Sequence, residues 1–163
     1  MSEPVPDPRS TRLLAEARTA VLATIDPDHR PRLVPICFVA LDRSEGRPRW
    51  TEWPDLYTPI DEKPKAGSDP HALARLRDIV ARPEVFVLVD RWNEDWTRLA
   101  WLRLRGTATV LEATDADAAV ERERAIGRLR AKYPQYRDHD LSSRPLIRIA
   151  VDRASTWEAS GQR

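Results

Sequence analysis

From Leu99 to Leu111 the side chains alternate between apolar and polar, the two-residue period of a long strand with one buried face. Gly106 interrupts that run and marks a bulge or bend, because a glycine inside a strand weakens the ladder and lets the backbone turn. Shorter strand-like runs cover Ala20–Ile25, Arg32–Leu41, Trp50–Trp53, Leu56–Ile60, Val85–Val89 and Leu146–Trp157. Asp26-Pro27-Asp28-His29 is a turn signal between the first two. Three helices are predicted. Ser10 caps a short one carrying Leu13, Leu14 and Ala17; a second starts near Ser68 and carries Leu73, Leu76 and Ile79; Thr114 opens a charged third that runs to about Lys132. Tyr133 to Ser143 reads as a loop. These helices do not alternate regularly with strands, which argues against a parallel doubly wound sheet. The pattern predicts a mainly β fold, a small antiparallel barrel with flanking helices.

The chain of 163 residues is long enough for one domain with a real core, spanning 1–163, with 1–9 as a flexible polar tail. Lysine and arginine number 27 against 26 acidic residues, a balance that lacks the basic excess of a nucleic-acid protein. No apolar run approaches the length of a membrane span, and Ser2 to Arg9 lacks the apolar core of a secretion signal. Cys37 is the only cysteine, which forbids an intrachain disulfide and fits a cytoplasmic location. Within its strand Cys37 reads as a small apolar residue. His29, His71 and His139 show no metal-ligand spacing, and no nucleophile, phosphate-loop or dinucleotide motif is present. The sequence therefore nominates no catalytic residue and no metal site.

The segment Asp61-Glu62-Lys63-Pro64-Lys65 carries the most chemistry. Two lysines two residues apart in extended backbone point the same way, and a helix N-terminus behind them adds free N–H groups. That arrangement suits a phosphate; a solvated turn is the plainer alternative. Six tryptophans are present, and Trp92, Trp96 and Trp101 cluster. Trp50 and Trp101 read as core or interface, whereas Trp96 reads equally as interface or as the wall of a groove.

The ordered set of motifs resembles a known family. Ala20-Val21-Leu22-Ala23-Thr24-Ile25 followed by Arg30-Pro31-Arg32-Leu33-Val34-Pro35 looks like the opening hairpin of pyridoxamine 5′-phosphate oxidase-like split barrels. Asp61–Lys65, Leu73–Ile79, Arg82-Pro83-Glu84-Val85, Asp95-Trp96-Thr97-Arg98-Leu99-Ala100-Trp101 and Arg105-Gly106-Thr107-Ala108 follow in the same order. Together they resemble the branch that uses coenzyme F420, the B group of flavin/deazaflavin oxidoreductases, from about Leu13 to Trp157.

The resemblance implies a six-stranded antiparallel split β-barrel of Greek-key type, acting as a homodimer with the cofactor between protomers. It implies that Lys63 and Lys65 hold the phosphate with Thr58 just upstream. Val34, Pro35 and Ile36 then lie near the ring system, and Trp96 reaches the site. Many members carry arginine where this chain has Lys63, and a lysine lacks the bidentate fork of a guanidinium. The implied activity is hydride transfer between F420 and a planar conjugated small molecule. An FMN-dependent enzyme of the same fold, and a non-catalytic cofactor- or tetrapyrrole-binding protein, are the alternatives.

Overall fold

The computed structural model describes residues 6–42, 52–61, 69 and 72–159. Its centre is a single seven-stranded sheet in the order β2-β1-β5-β6-β7-β4-β3, antiparallel at every pairing. The strands are β1 (Ala20–Ile25), β2 (Pro31–Ile36), β3 (Val39–Leu41), β4 (Asp55–Pro59), β5 (Glu84–Arg91), β6 (Ala100–Leu111) and β7 (Leu146–Glu158). A hairpin, β1–β2, forms one end of the sheet and β3–β4 forms the other. The meander β5–β6–β7 fills the middle. Only Cys37 and Phe38 separate β2 from β3, so the chain itself joins the two ends of the sheet and curls it into a barrel.

The single strand expected over Arg32–Leu41 is thus two. Both halves are apolar, but β2 pairs with β1 while β3 pairs with β4, and the change of partner breaks the ladder. With Trp50–Trp53 and Leu56–Ile60 counted as two pieces of one strand interrupted by Pro54, that division raises the expected six strands to seven. Much of the piece expected at Trp50–Trp53 lies outside the described residues; Glu52 and Trp53 are not in a strand.

The long strand behaves as its alternation predicts. On β6, Ala100, Leu102, Leu104 and Ala108 are buried in the barrel, while Arg103, Thr107 and Thr109 are exposed. The register with β7 shifts between Arg105 and Gly106. Gly106 is required there because a Cβ would stand 2.5 Å from the carbonyl oxygen of Ala150 and 3.0 Å from Ile149 Cγ2.

Each helix starts at a different cap from the one the sequence suggests. In α1 (Pro8–Glu16) the cap is Asp7, whose carboxylate accepts the N–H groups of Arg9 and Ser10 at 2.8 and 3.1 Å. Ser10 sits inside the first turn and donates its hydroxyl to Asp7. The helix α2 (Ala74–Ala81) has Leu73 as its cap, with no side-chain bond. It begins at Ala74 and not near Ser68, a position outside the described residues, so the helix-dipole argument for Lys65 loses its local basis. Helix α3 (Ala119–Lys132) begins five residues after Thr114; Asp115 instead accepts the N–H groups of Asp117 and Ala118.

Two apolar clusters result. The barrel interior joins Leu22, Leu56, Val87, Leu102, Leu104 and Ile149 to Leu13 and Leu14 of α1 and Leu76 and Ile79 of α2. A second cluster packs Ala125, Ile126 and Leu129 of α3 against Val39, Tyr57 and Leu146, with Tyr133 and Tyr136. Arg122 completes the inner stripe of α3, buried and donating to the carbonyls of Leu111, Ser142 and Arg144 at 2.6, 3.0 and 2.9 Å. Asp78 of α2 is also buried and accepts from Thr24 Oγ1 and Arg32 Nε, both at 2.8 Å, tying the helix to the first hairpin.

Candidate functional site

The outward face of the first hairpin and the meander is apolar where a lone barrel would be polar. Period-two geometry puts Val21, Ala23, Leu33, Phe86, Leu88 and Trp101 on that face. Cross-strand registers align them, with Leu33 opposite Ala23, Ala23 opposite Phe86, and Val21 opposite Leu88. They line an open concavity of about 720 Å³, with Asp90 and Arg103 as its charged members. Leu33 is 66% exposed. The Arg103 guanidinium lies 6.0 Å from the Trp101 ring centre, and Trp101 pairs with Trp157 across β6 and β7.

A second region surrounds the β2–β3 link. Cys37 is half-buried next to Tyr136, outside the strand that the sequence suggests. Tyr136 is buried and donates to Asp61 Oδ2 at 3.2 Å. Burial, then Cys37 and Asp61, push its hydroxyl pKa upward. Tyr133 is buried beside it in edge-to-face contact at 5.5 Å; its hydroxyl accepts from Phe38 N at 3.0 Å and lies 2.8 Å from Phe38 O and 2.9 Å from Arg18 O. Lys132 donates to Phe38 O at 3.0 Å and stands 4.4 Å over the Phe38 ring. The carbonyl and the ring favour its charge; burial, then Arg18, outweigh them and push its pKa down to about 8.

At the same end lies Arg75, the second residue of α2. Its guanidinium is mostly buried, and its Nε has no hydrogen-bond acceptor. Burial lowers its pKa, while the nearby charges of Asp61 and Tyr136 push it back up. Among the described residues no ion pair forms to it.

The sequence-predicted residues divide between these regions. Thr58 is buried on β4, sharing the inner face with Leu56 and Ile60 by strand parity, and its register against Val39–Tyr57 carries it toward Phe38. Ile36 is buried and Val34 half-buried, facing inward; Pro35 is exposed, opposite Val21 on the outer face. Three successive strand residues cannot present their side chains to one surface. β2 is an edge strand, which tolerates Pro31 and Pro35, and its free edge offers backbone groups instead. Trp96 is 71% exposed in a 3₁₀ turn (Trp96–Arg98) that leads into β6. Asp95 fixes that turn by accepting Thr97 N and Thr97 Oγ1 at 3.0 and 2.7 Å. Thr58 aligns through Ile147 with Val110, whereas Trp96 stands just before Ala100, so the ladder separates them by most of β6. Lys63 and Lys65 lie outside the described residues.

Sequence reasoning missed Arg75, Tyr133 and Tyr136. Two tyrosines at a three-residue spacing, directly after an amphipathic helix, were the available signal for the last two. Arg75 carried none, since α2 also holds the exposed Arg77.

An antiparallel sheet curled on itself with three flanking helices, and with its outer face left apolar, defines the split-barrel class. The chain belongs to the pyridoxamine 5′-phosphate oxidase family, whose model matches residues 7–158. No curated protein matches the sequence. Among solved structures, a FAD-binding protein from Mesorhizobium loti has a TM-score of 0.66 at 20% identity, covering 98% of this chain and 100% of that one. HutZ, the haem storage protein of Vibrio cholerae, has a TM-score of 0.61 at 16% identity, covering 93% of each chain. An F420 reductase has a TM-score of 0.59 at 18% identity, covering 93% and 98%. At these identities the likeness shows the fold.

The residues present fit a phosphorylated planar coenzyme in two respects. The apolar concavity lies within the roughly 300–1,000 Å³ range of small-molecule sites, and the orphaned Arg75 Nε is a donor that lacks an anion. Among the described residues no group of His, Cys, Asp and Glu side chains could hold a metal ion, and no helix is long and apolar enough to cross a membrane.

Proposed function

We propose that the protein is an F420-dependent oxidoreductase that passes a hydride between the deazaflavin and a planar conjugated small molecule, and that it acts as a homodimer. The observation that carries this reading is the apolar concavity on the outer face of β1, β5 and β6, in a chain that the family model matches over residues 7–158. A C2 interface needs a self-complementary surface. Asp90 and Arg103 provide opposite charges on one apolar face, so a twofold axis can oppose each to its counterpart in the second copy. Such a partner would cover Leu33, Phe86 and Leu88 and leave the concavity between the two sheets as a groove.

When bound, F420 supplies the hydride chemistry, and the chain's task is to bind, orient and exclude water. In this reading Lys63 and Lys65 hold the phosphate, the β2 edge at Val34, Pro35 and Ile36 lies along the ring system, and Thr58 supports the phosphate end. Trp96 projects from its Asp95-capped turn to wall a groove in the neighbouring protomer. The F420 reductase among the structural neighbours supports the deazaflavin; the FAD-binding neighbour supports a flavin. Fluorescence titration of purified protein with oxidised F420 and with FMN decides between them. Tighter binding of F420 is expected. FMN binding more tightly and copurifying as a yellow cofactor overturns the deazaflavin assignment in favour of an FMN enzyme.

A further inference from the structure

All three tyrosines of the chain are buried, and their hydroxyls meet different acceptors. Tyr57 donates to Glu121 Oε1 at 2.8 Å, but Arg148 lies 3.3 Å from both oxygens of that carboxylate. Tyr133 faces the carbonyls of Phe38 and Arg18 at 2.8 and 2.9 Å. Two cations, Arg18 and Lys132, stand 4.8 and 5.4 Å from its ring centre. Tyr136 donates to Asp61 Oδ2 at 3.2 Å, and that carboxylate is itself buried. The half-buried Cys37 flanks the same hydroxyl. A phenol that loses an electron becomes a strong acid, and its proton needs a base within hydrogen-bond reach. Without one, a positive charge is left unpaired in the interior. A carbonyl cannot keep that proton, and the two cations oppose positive charge on the Tyr133 ring. Protonating Glu121 would break up its ion pair with Arg148. Tyr136 is the tyrosine whose hydroxyl meets a buried carboxylate.

We propose that Tyr136 is a redox-active tyrosine, with Asp61 as its proton acceptor and the Cys37 thiol as its outlet. The reactant it meets is a strong one-electron oxidant, such as a photoexcited flavin-type ring or a high-valent metal complex. The oxidant takes one electron from the Tyr136 phenol, and the phenolic proton passes to Asp61 Oδ2. A neutral tyrosyl radical and a carboxylic acid remain. The Cys37 S–H bond then breaks, its hydrogen atom restores the Tyr136 O–H bond, and Asp61 gives its proton to water. The thiyl radical on Cys37 takes a hydrogen atom from a soluble thiol. The cluster drains an oxidising equivalent from the interior to a half-exposed sulfur that can be repaired. This role does not depend on which coenzyme the protein binds.

The test generates tris(bipyridine)ruthenium(III) by a light flash beside the purified protein, with no coenzyme added. Radicals are followed by freeze-quench electron paramagnetic resonance, and thermal melts check that each variant is folded. A tyrosyl signal is expected in wild type, retained in Tyr57→Phe and Tyr133→Phe and lost in Tyr136→Phe. Asp61→Asn keeps an acceptor but removes the base, and should slow formation of the signal by roughly a hundredfold. Cys37→Ser should prolong the signal. A tyrosyl signal that survives in folded Tyr136→Phe, or that is absent from wild type, overturns the assignment. An unchanged rate in Asp61→Asn overturns the proton path, and an unchanged lifetime in Cys37→Ser overturns the outlet. Each of these failures leaves the coenzyme reading intact.

Discussion

Replacing Asp78 with leucine tests whether α2 is held to the first hairpin by a buried polar contact or by apolar packing alone. The carboxylate accepts Thr24 Oγ1 at 2.8 Å, with both residues at most 2% exposed, and Arg32 Nε at the same distance. Arg32 has a side chain 39% exposed and can turn to water when its partner is lost. The Thr24 hydroxyl cannot, and an orphaned buried donor costs about 1–3 kcal/mol. Leucine also relieves the desolvation of a carboxylate, which offsets the loss of the second bond. A net loss of about 2 kcal/mol is expected, or a melting temperature lower by roughly 4–8 °C for a domain of this size. Thr24→Val in the Asp78→Leu background should then recover about 1 kcal/mol, because it removes the orphan and keeps the shape. Urea and thermal melts of the two singles and the double measure this. A loss below about 0.5 kcal/mol in Asp78→Leu, or further destabilisation in the double, refutes the reasoning.

Further expectations follow from other contacts. Gly106→Ala should destabilise by roughly 1–3 kcal/mol, because the clash is with the Ala150 backbone and not with a side chain that can swing away; a melt within about 0.5 kcal/mol of wild type shows that β7 can yield. Lys132, with a folded pKa pushed down to about 8 against 10.5, loses its proton earlier in the folded state, so the unfolded chain binds more protons between those values. Stability contributed at this site should therefore rise with pH from about 8 to 10.5, and the stability gap between wild type and Lys132→Met should widen in favour of wild type across that window. A flat difference means that the Phe38 carbonyl and ring balance the burial. Phe86→Asp should convert a wild-type dimer to a folded monomer in sedimentation at micromolar concentration, since Phe86 is already 41% exposed in the single chain, and its melting should lose the concentration dependence that a dimer shows. A wild type that sediments only as a folded monomer defeats the homodimer.

The parts of the fold governed by local periodicity were legible. The limits of β6 and β7 follow the alternation within a residue, and Gly106 marks the irregularity it was expected to mark. The helix starts were less legible because several side chains compete to cap. Asp7 sits three residues before Ser10 and offers a charged acceptor; Asp115 stands directly after Thr114. The division of Arg32–Leu41 was invisible, since Cys37 and Phe38 are as apolar as their neighbours and only the switch from β1 to β4 separates the halves. The Asp95–Arg98 turn is held by local capping, which a linear pattern can carry. Arg75 and the Tyr133–Tyr136 pair owe their importance to burial by elements distant in the chain, which a linear pattern does not encode.

The sheet order also fixes a sequence of events in time. Within the sheet β4 has two neighbours, β3 and β7, and β7 holds the last described strand residues. On the ribosome the first hairpin can meet β5 and β6 while β4 still lacks one of its partners. Until residues 146–149 emerge, the edge of β4 stands open, with Leu56 on its inner face still uncovered. Long-range pairing of this kind is slow, and an unpaired strand edge invites pairing with another chain. A protein cut short before Leu146 would therefore be left with an open sheet edge and an aggregation hazard.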